Sequence, residues 1–392
     1  MDIYVVKEGD TIEGISGEYG ASPDSLIYMN QLVFPYGLAE GQALLVPALG
    51  GAGGEPYRAH TLGYAYPFIS QWTLSQSLPA LSALCVFSYG FTQDGELVEP
   101  VLSDEWMIHD AREQGADPVL TFTSIGPDGR FHSGLVQTLL DNESLQQRVI
   151  WNLGRTVQEK GYLGIDLDLE YIPAEYAGRY ARFAERLRKV MDLFGYRVSA
   201  ALAPKTSREQ PGLLYEGMDY RLLGQAVHQV MLMTYEWGYA YGPPMAVAPL
   251  HMVRRVVDYA LTEIPAQKLI LGIPNYGYDW PLPYERGGQR ARTLGNVEAV
   301  RLAVLNGAKI HFDNLAKSPY FHYERDGIRH EVWFEDVRSW KAKFDLVKEK
   351  GLKGAGIWQL MQLFRAGLLL MRDSFQAERA EDEGIRQGQE RG

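Results

Sequence analysis

The sequence predicts an α/β protein: a (β/α)8 barrel with a small β-rich insertion between strands seven and eight, preceded by a small βααβ domain. Three observations predict it. From about Tyr57 onward, eight apolar strand-like runs alternate with amphipathic helix-like stretches. The first fifty residues carry a strand, helix, helix, strand pattern of their own. One run, GIDLDLEY from Gly164 to Tyr171, spaces Asp166, Asp168 and Glu170 two apart. A strand then puts all three acids on one face and Ile165, Leu167 and Leu169 on the other. The alternation alone leaves a doubly wound open sheet as the alternative fold, and an acidic edge strand as the alternative for GIDLDLEY.

Residues 1–48 read as an independent unit. IYVV opens a strand, and KEGDT supplies a turn and a helix N-cap at Asp10 or Thr11. IEGISGEYG is a short helix closed by Gly20, and SPDSLIYMNQL restarts with a Ser-Pro-Asp cap. GLAEGQALLVP ends in a second strand stopped by Pro47. The unit resembles a LysM module in YVVKEGDT, in the Ile12 and Ile15 helix face, in Tyr19-Gly20, in the Leu26 to Asn30 segment and in GQALLVP. The resemblance implies binding to the N-acetylglucosamine-containing glycans of peptidoglycan or chitin. A small fold that only caps the next domain is the plainer reading.

Residues 49–56 form a glycine-rich linker, and residues 57–373 the barrel. Its strand candidates are AHTLGYAY, ALCVFSYGF, PVLTFTSI, LGIDLDLEY, RVSAALAP, HQVMLMTYEW, KLILGIPNY and GAGIWQL. DNESLQQRVIWNLGRTVQEKG, PAEYAGRYARFAERLRKVMDLFG and PLHMVRRVVDYALTEIP are helical stretches between them. NLAKSPYFHYERDGIRHEVWFED, before the last strand, holds a hairpin turning at Arg325-Asp326-Gly327 and reads as one wall of a groove. Residues 374–392 are charged and poor in apolar residues, which predicts a frayed helix or a disordered tail.

Composition excludes several classes. A net charge of -11 argues against nucleic acid or an anionic membrane as partner. No apolar run is long enough to span a bilayer. The first residues, MDIYVVKEGDT, lack a basic and an apolar signal region, so synthesis in the cytoplasm without a signal peptide is expected. The one cysteine, Cys85, cannot form an internal disulfide and reads as a core residue. Aromatics at 12% fit surfaces that stack on flat ligands.

Barrel active sites lie at the C-terminal ends of the strands, so Glu170 belongs at the mouth, with Asp168 and Asp166 in successive deeper layers. Carboxylates packed this closely cannot all ionise, and a carboxyl kept protonated near neutral pH serves as a general acid. A divalent cation is the rival occupant, although acids stacked along one strand converge poorly on one ion and no His joins them. No metal and no cofactor are expected.

GIDLDLEY resembles the DGxDxDxE signature of glycoside hydrolase family 18, the chitinase-like enzymes, and the likeness extends from about Tyr57 to Phe364 through MLMTYEWGYAYGPPMAVAP, LGIPNYGYDW and GAGIWQL. The resemblance implies that Glu170 protonates the glycosidic oxygen. Asp168 would orient the substrate's own acetamido group, which attacks the anomeric carbon, and Asp166 would hold Asp168. This substrate-assisted route retains configuration. Tyr235 would hydrogen-bond the acetamido carbonyl. Trp358 would floor the sugar subsite, and Tyr64, Met233, Glu236, Trp237, Tyr276 and Tyr278 are further substrate-binding candidates around the rim, with plain packing as the alternative for each aromatic.

Leu163 stands where the family has its first Asp, SIGPDG where many chitinases have a Ser-x-Gly-Gly turn, and Glu236 where Asp is usual. A LysM module before such a barrel, with MTYEWGYAYGPP and EVWFEDVRS, is similar to the spore-cortex and spore-coat glycosylases of endospore formers. The expected activity is a retaining N-acetylglucosaminidase, acting as a monomer on cortex peptidoglycan or its fragments during germination, in the spore coat or cortex. A chitinase and a glycan-binding coat lectin are the alternatives.

Overall fold

The computed structural model describes residues 1–50 and 57–379. Barrel strands one to eight are Tyr57–Ala65, Ala83–Phe91, Asp117–Thr123, Gly164–Asp168, Arg197–Leu202, Gln229–Leu232, Leu269–Pro274 and Gly354–Trp358. Each pairs in parallel with the next, and strand eight closes on strand one. The predicted (β/α)8 barrel is therefore the fold, and each of the eight strands overlaps one of the runs read from the sequence, strands one and three starting one or two residues before theirs. Strand two, ALCVFSYGF, is buried at all nine positions, Cys85 included, because helices cover a parallel sheet outside and side chains fill it inside.

The helices that deliver and remove strand four are well punctuated. Glu143–Lys160 begins at Asn142, whose side chain accepts from the Leu145 amide, and ends at Gly161 with φ 83°. Ala177–Asp192 follows it and buries Tyr180, Phe183 and Leu187 against the barrel. Among the described residues no helix is long and apolar enough to cross a membrane.

The small domain is the expected βααβ unit. Asp2–Val5 pairs antiparallel with Ala43–Val46, and helices Ile12–Tyr19 and Pro23–Asn30 pack over the pair. Thr11, one of the two residues named as a cap, is the N-cap, and Gly20 closes the first helix in the left-handed region. This domain is bonded to the barrel at several points. Arg365 donates to the Tyr28 carbonyl at 2.9 Å, and its guanidinium lies 3.9 Å from the Tyr28 ring centre. Its backbone amide donates to Gln31 at 2.6 Å. The Ile310 amide donates to the Glu40 carbonyl at 2.8 Å, and Lys309 pairs with Glu40 at 2.5 Å. Gly41 is obligatory there, since a Cβ would lie 1.9 Å from the Ile310 carbonyl oxygen.

Two expectations need correction. The insertion is larger than a hairpin: it is a five-stranded antiparallel sheet beginning at Gly277, with helix Asn296–Leu305 laid over it. The tail is not frayed at its start. Phe375–Ala377 adds a parallel strand beside Tyr57–Ala59, because the Phe375 ring packs 4.9 Å from Phe344 and 6.3 Å from Tyr57. The glycine-rich residues 51–56 and the charged residues 380–392 lie outside the described residues.

Candidate active site

Strand four carries the acids inward, as its alternation requires. Register sets Asp166 beside Thr121 of strand three and Ser199 of strand five. Asp166 is fully buried and accepts from Ser199 Oγ at 2.5 Å and from the Tyr64 hydroxyl at 3.0 Å. Burial raises its pKa, and those two donors restrain the rise.

Asp168 lies one layer nearer the mouth, and its Oδ1 is buried without a hydrogen-bond partner. Burial, then the neighbouring charges of Glu170 and Asp166, push its pKa well up. Glu170 stands just beyond the last paired residue of strand four, half-buried, and burial raises its pKa as well. The next residue, Tyr171, turns the chain out of the barrel with φ 56°. Two neighbouring carboxyls thus share the end of strand four at a charge cost that favours at least one proton between them.

Strand six ends in the second half of the site. The Tyr235 ring is nearly buried, and its hydroxyl has no hydrogen bond among the described residues; burial first, then Asp168 and Glu170, push its pKa well up. Glu236, at φ 67°, accepts from the Tyr276 hydroxyl and from the Tyr278 hydroxyl at 2.9 Å. Solvent reaches Glu236, yet the protein mass around its carboxyl raises its pKa, against the two tyrosine bonds.

Trp358 ends strand eight, half-buried, with its ring edge-on to Phe87 at 5.0 Å and Tyr64 at 5.7 Å. It therefore closes the inner end of the mouth and leaves part of the indole open. Met233 is half-buried at the end of strand six. Trp237 is half-buried and lines a cleft with Tyr215 and Arg255.

The structure thus brings Asp166, Asp168, Glu170 and Tyr235 to the inner end of one mouth. Three rim candidates are placed differently. Tyr64 is 2% exposed, in the layer of Asp166, because strand one points it inward where its hydroxyl meets that acid. Tyr276 and Tyr278 are each 6% exposed and spend their hydroxyls on Glu236 instead of standing open as stacking platforms. Sequence reasoning missed Ser199. The signal was one polar residue inside the apolar run VSAAL, at the register level of Asp166.

Comparison with known proteins accords with this geometry. The profile of the glycosyl hydrolases family 18 matches residues 68–362, and that of the LysM domain matches residues 4–47. The cortical fragment-lytic enzyme of Bacillus subtilis (strain 168) is 34% identical over 96% of this chain and 98% of its own length. The crystal structure of the spore cortex-lytic enzyme SleL of Bacillus megaterium QM B1551 superposes with a TM-score of 0.90 at 31% identity, covering 96% of this chain and 98% of that one. SleL of Bacillus cereus gives 0.91 at 30% identity over 96% and 99%.

Proposed function

The chain belongs to the glycosyl hydrolases of family 18, and on that premise we propose that it cleaves N-acetylglucosaminyl bonds in spore-cortex peptidoglycan or its fragments with retention of configuration. The relatives named for cortex lysis cover nearly the whole chain, which supports the substrate and a place in the spore of an endospore former. The LysM domain and the barrel together imply a glycan partner containing N-acetylglucosamine.

One observation carries the mechanism: the buried, unpartnered Oδ1 of Asp168 beside a protonatable Glu170. An acceptor left bare in a dry site costs stability unless a ligand donor satisfies it. The acetamido N–H of a bound N-acetylglucosamine is such a donor. Asp168 then turns the acetamido oxygen onto the anomeric carbon. Glu170, its pKa raised, gives its proton to the leaving oxygen and later takes one back from water. Tyr235 donates its free hydroxyl to the acetamido oxygen. Asp166, held by Ser199 and Tyr64, presses a second charge on Asp168 from below. Glu236 is fixed by its tyrosines as an acceptor for a sugar hydroxyl, and Trp358 offers the open part of its indole to the sugar's apolar face.

Glu170→Gln keeps the shape and removes the acid. It is expected to lower kcat on purified cortex fragments by about 10²–10⁴-fold with an unchanged melting temperature. Complete digestion by that variant would sink the assignment. Mass spectrometry of the products, read for N-acetylglucosamine at the new reducing ends, tests the bond cleaved.

A further inference from the structure

The loop after strand five and the start of the helix after strand six border an open cleft on the mouth side of the barrel. Its walls include Trp237, Tyr215 and Met252, together with Thr206, Ser207 and Arg255. It is tied to the catalytic side of the barrel through the chain: Trp237 directly follows Glu236, and Tyr215 lies near Tyr171, the neighbour of Glu170. The loop is braced, since Gln210 accepts from the Thr206 amide at 2.7 Å and donates to the Pro204 carbonyl at 3.3 Å.

Arg255 is the odd member. Arg254, beside it, chelates Glu349 at both guanidinium ends. Arg208, in the loop, pairs with Glu263 at 3.3 Å. Among the described residues Arg255 has neither a hydrogen bond nor an ion pair, in a chain of net charge -11 where carboxylates outnumber cations. An exposed, unpaired cation lining an aromatic cleft presents five N–H donors in a fork shaped for a carboxylate.

We propose that this cleft takes the sugar next to the cleaved N-acetylglucosamine, and that Arg255 selects for a carboxylate carried on that sugar. This deepens the reading of the catalytic site above and rests on it. The carboxylate has two possible sources, the lactyl ether of a muramic residue or the first stem-peptide residue attached to it. Trp237 stacks on the sugar's apolar face and Arg255 forks the acid. A neutral chitin oligomer fills the cleft without using the cation.

The test compares kcat/KM on muramyl-containing cortex fragments with kcat/KM on neutral chitotetraose. Arg255→Gln is expected to lower the acidic-to-neutral ratio about five- to tenfold, through KM and not kcat, as for one charge-assisted contact partly screened by solvent. Arg255→Lys should restore part of the ratio. Fragments with bare lactyl groups and fragments with peptide stems form separate arms, and the arm that responds identifies the source. Binding of both fragment types to the Glu170→Gln protein, with and without Arg255→Gln, reads the cleft independently of turnover. An inactive parent enzyme would overturn the catalytic reading alone. Ratios and affinities that stay within twofold across the Arg255 variants would overturn this one.

Discussion

Asp168 holds a buried carboxyl with one oxygen bare and two acids for neighbours, an arrangement that opposes folding and supports chemistry. Its folded-state pKa is raised, so the native protein keeps a proton that the unfolded chain releases once pH exceeds the ordinary 3.8. The unfolded state then binds fewer protons, and stability falls as pH rises toward the raised value. Asp168→Asn removes that slope. Thermal melts should show the variant more stable than the parent at pH 7 by about 1–2 kcal/mol, equal or less stable near pH 3, and inactive. A lower melting temperature at pH 7 would contradict the account. The acids themselves were legible in the sequence, because alternation along one strand is a local rule. Their partners were not. Ser199 and Tyr64 reach Asp166 from strands five and one, and which residues share a layer is decided by register between distant segments.

The eight strands could be read because fully buried parallel strands are apolar throughout and end at turn residues. The insertion was only half visible for the opposite reason. Its first strand, Gly277–Leu282, follows strand seven after only Asn275 and Tyr276, so LILGIPNYGYDWPL reads as one run. The strand at Phe375–Ala377 was hidden by its brevity beside a charged segment. The hairpin was legible from its turn: Asp326 and Gly327 have φ 54° and 75°, joining Ser318–Arg325 to Ile328–Trp333 by a two-residue loop. Gly327→Val should cost about 1–3 kcal/mol, although open space surrounds the position, because the strain is in the backbone. Asp326→Gly should be neutral within about 0.5 kcal/mol. Equal melting temperatures for Gly327→Val and the parent would show that the turn is not held in this form.

At the scale of the molecule, the small domain is fastened on two sides. Arg365 grips Tyr28 and Gln31 on one side, and Glu40 and Gly41 meet Lys309 and Ile310 on the other. Met1 adds an ion pair to Asp373 at 2.8 Å. Calorimetry of the parent should therefore show the small domain and the barrel melting together. Arg365→Ala combined with Gly41→Ala, which loses the grip and forces the backbones apart, should give a separate transition at lower temperature. A second transition already present in the parent would mean that the two parts are thermally independent.

That fastening has a consequence for how glycan reaches the catalytic mouth. A module on a slack tether offers its captured strand to the active site over a wide range of separations, at a moderate effective concentration for each. A module fixed to the barrel wall concentrates the whole effect at one separation. Strands long enough to span both sites at that distance gain a high local concentration at Glu170, and shorter ones gain none. Chain length thus becomes a threshold set by geometry, independent of the chemistry in the barrel.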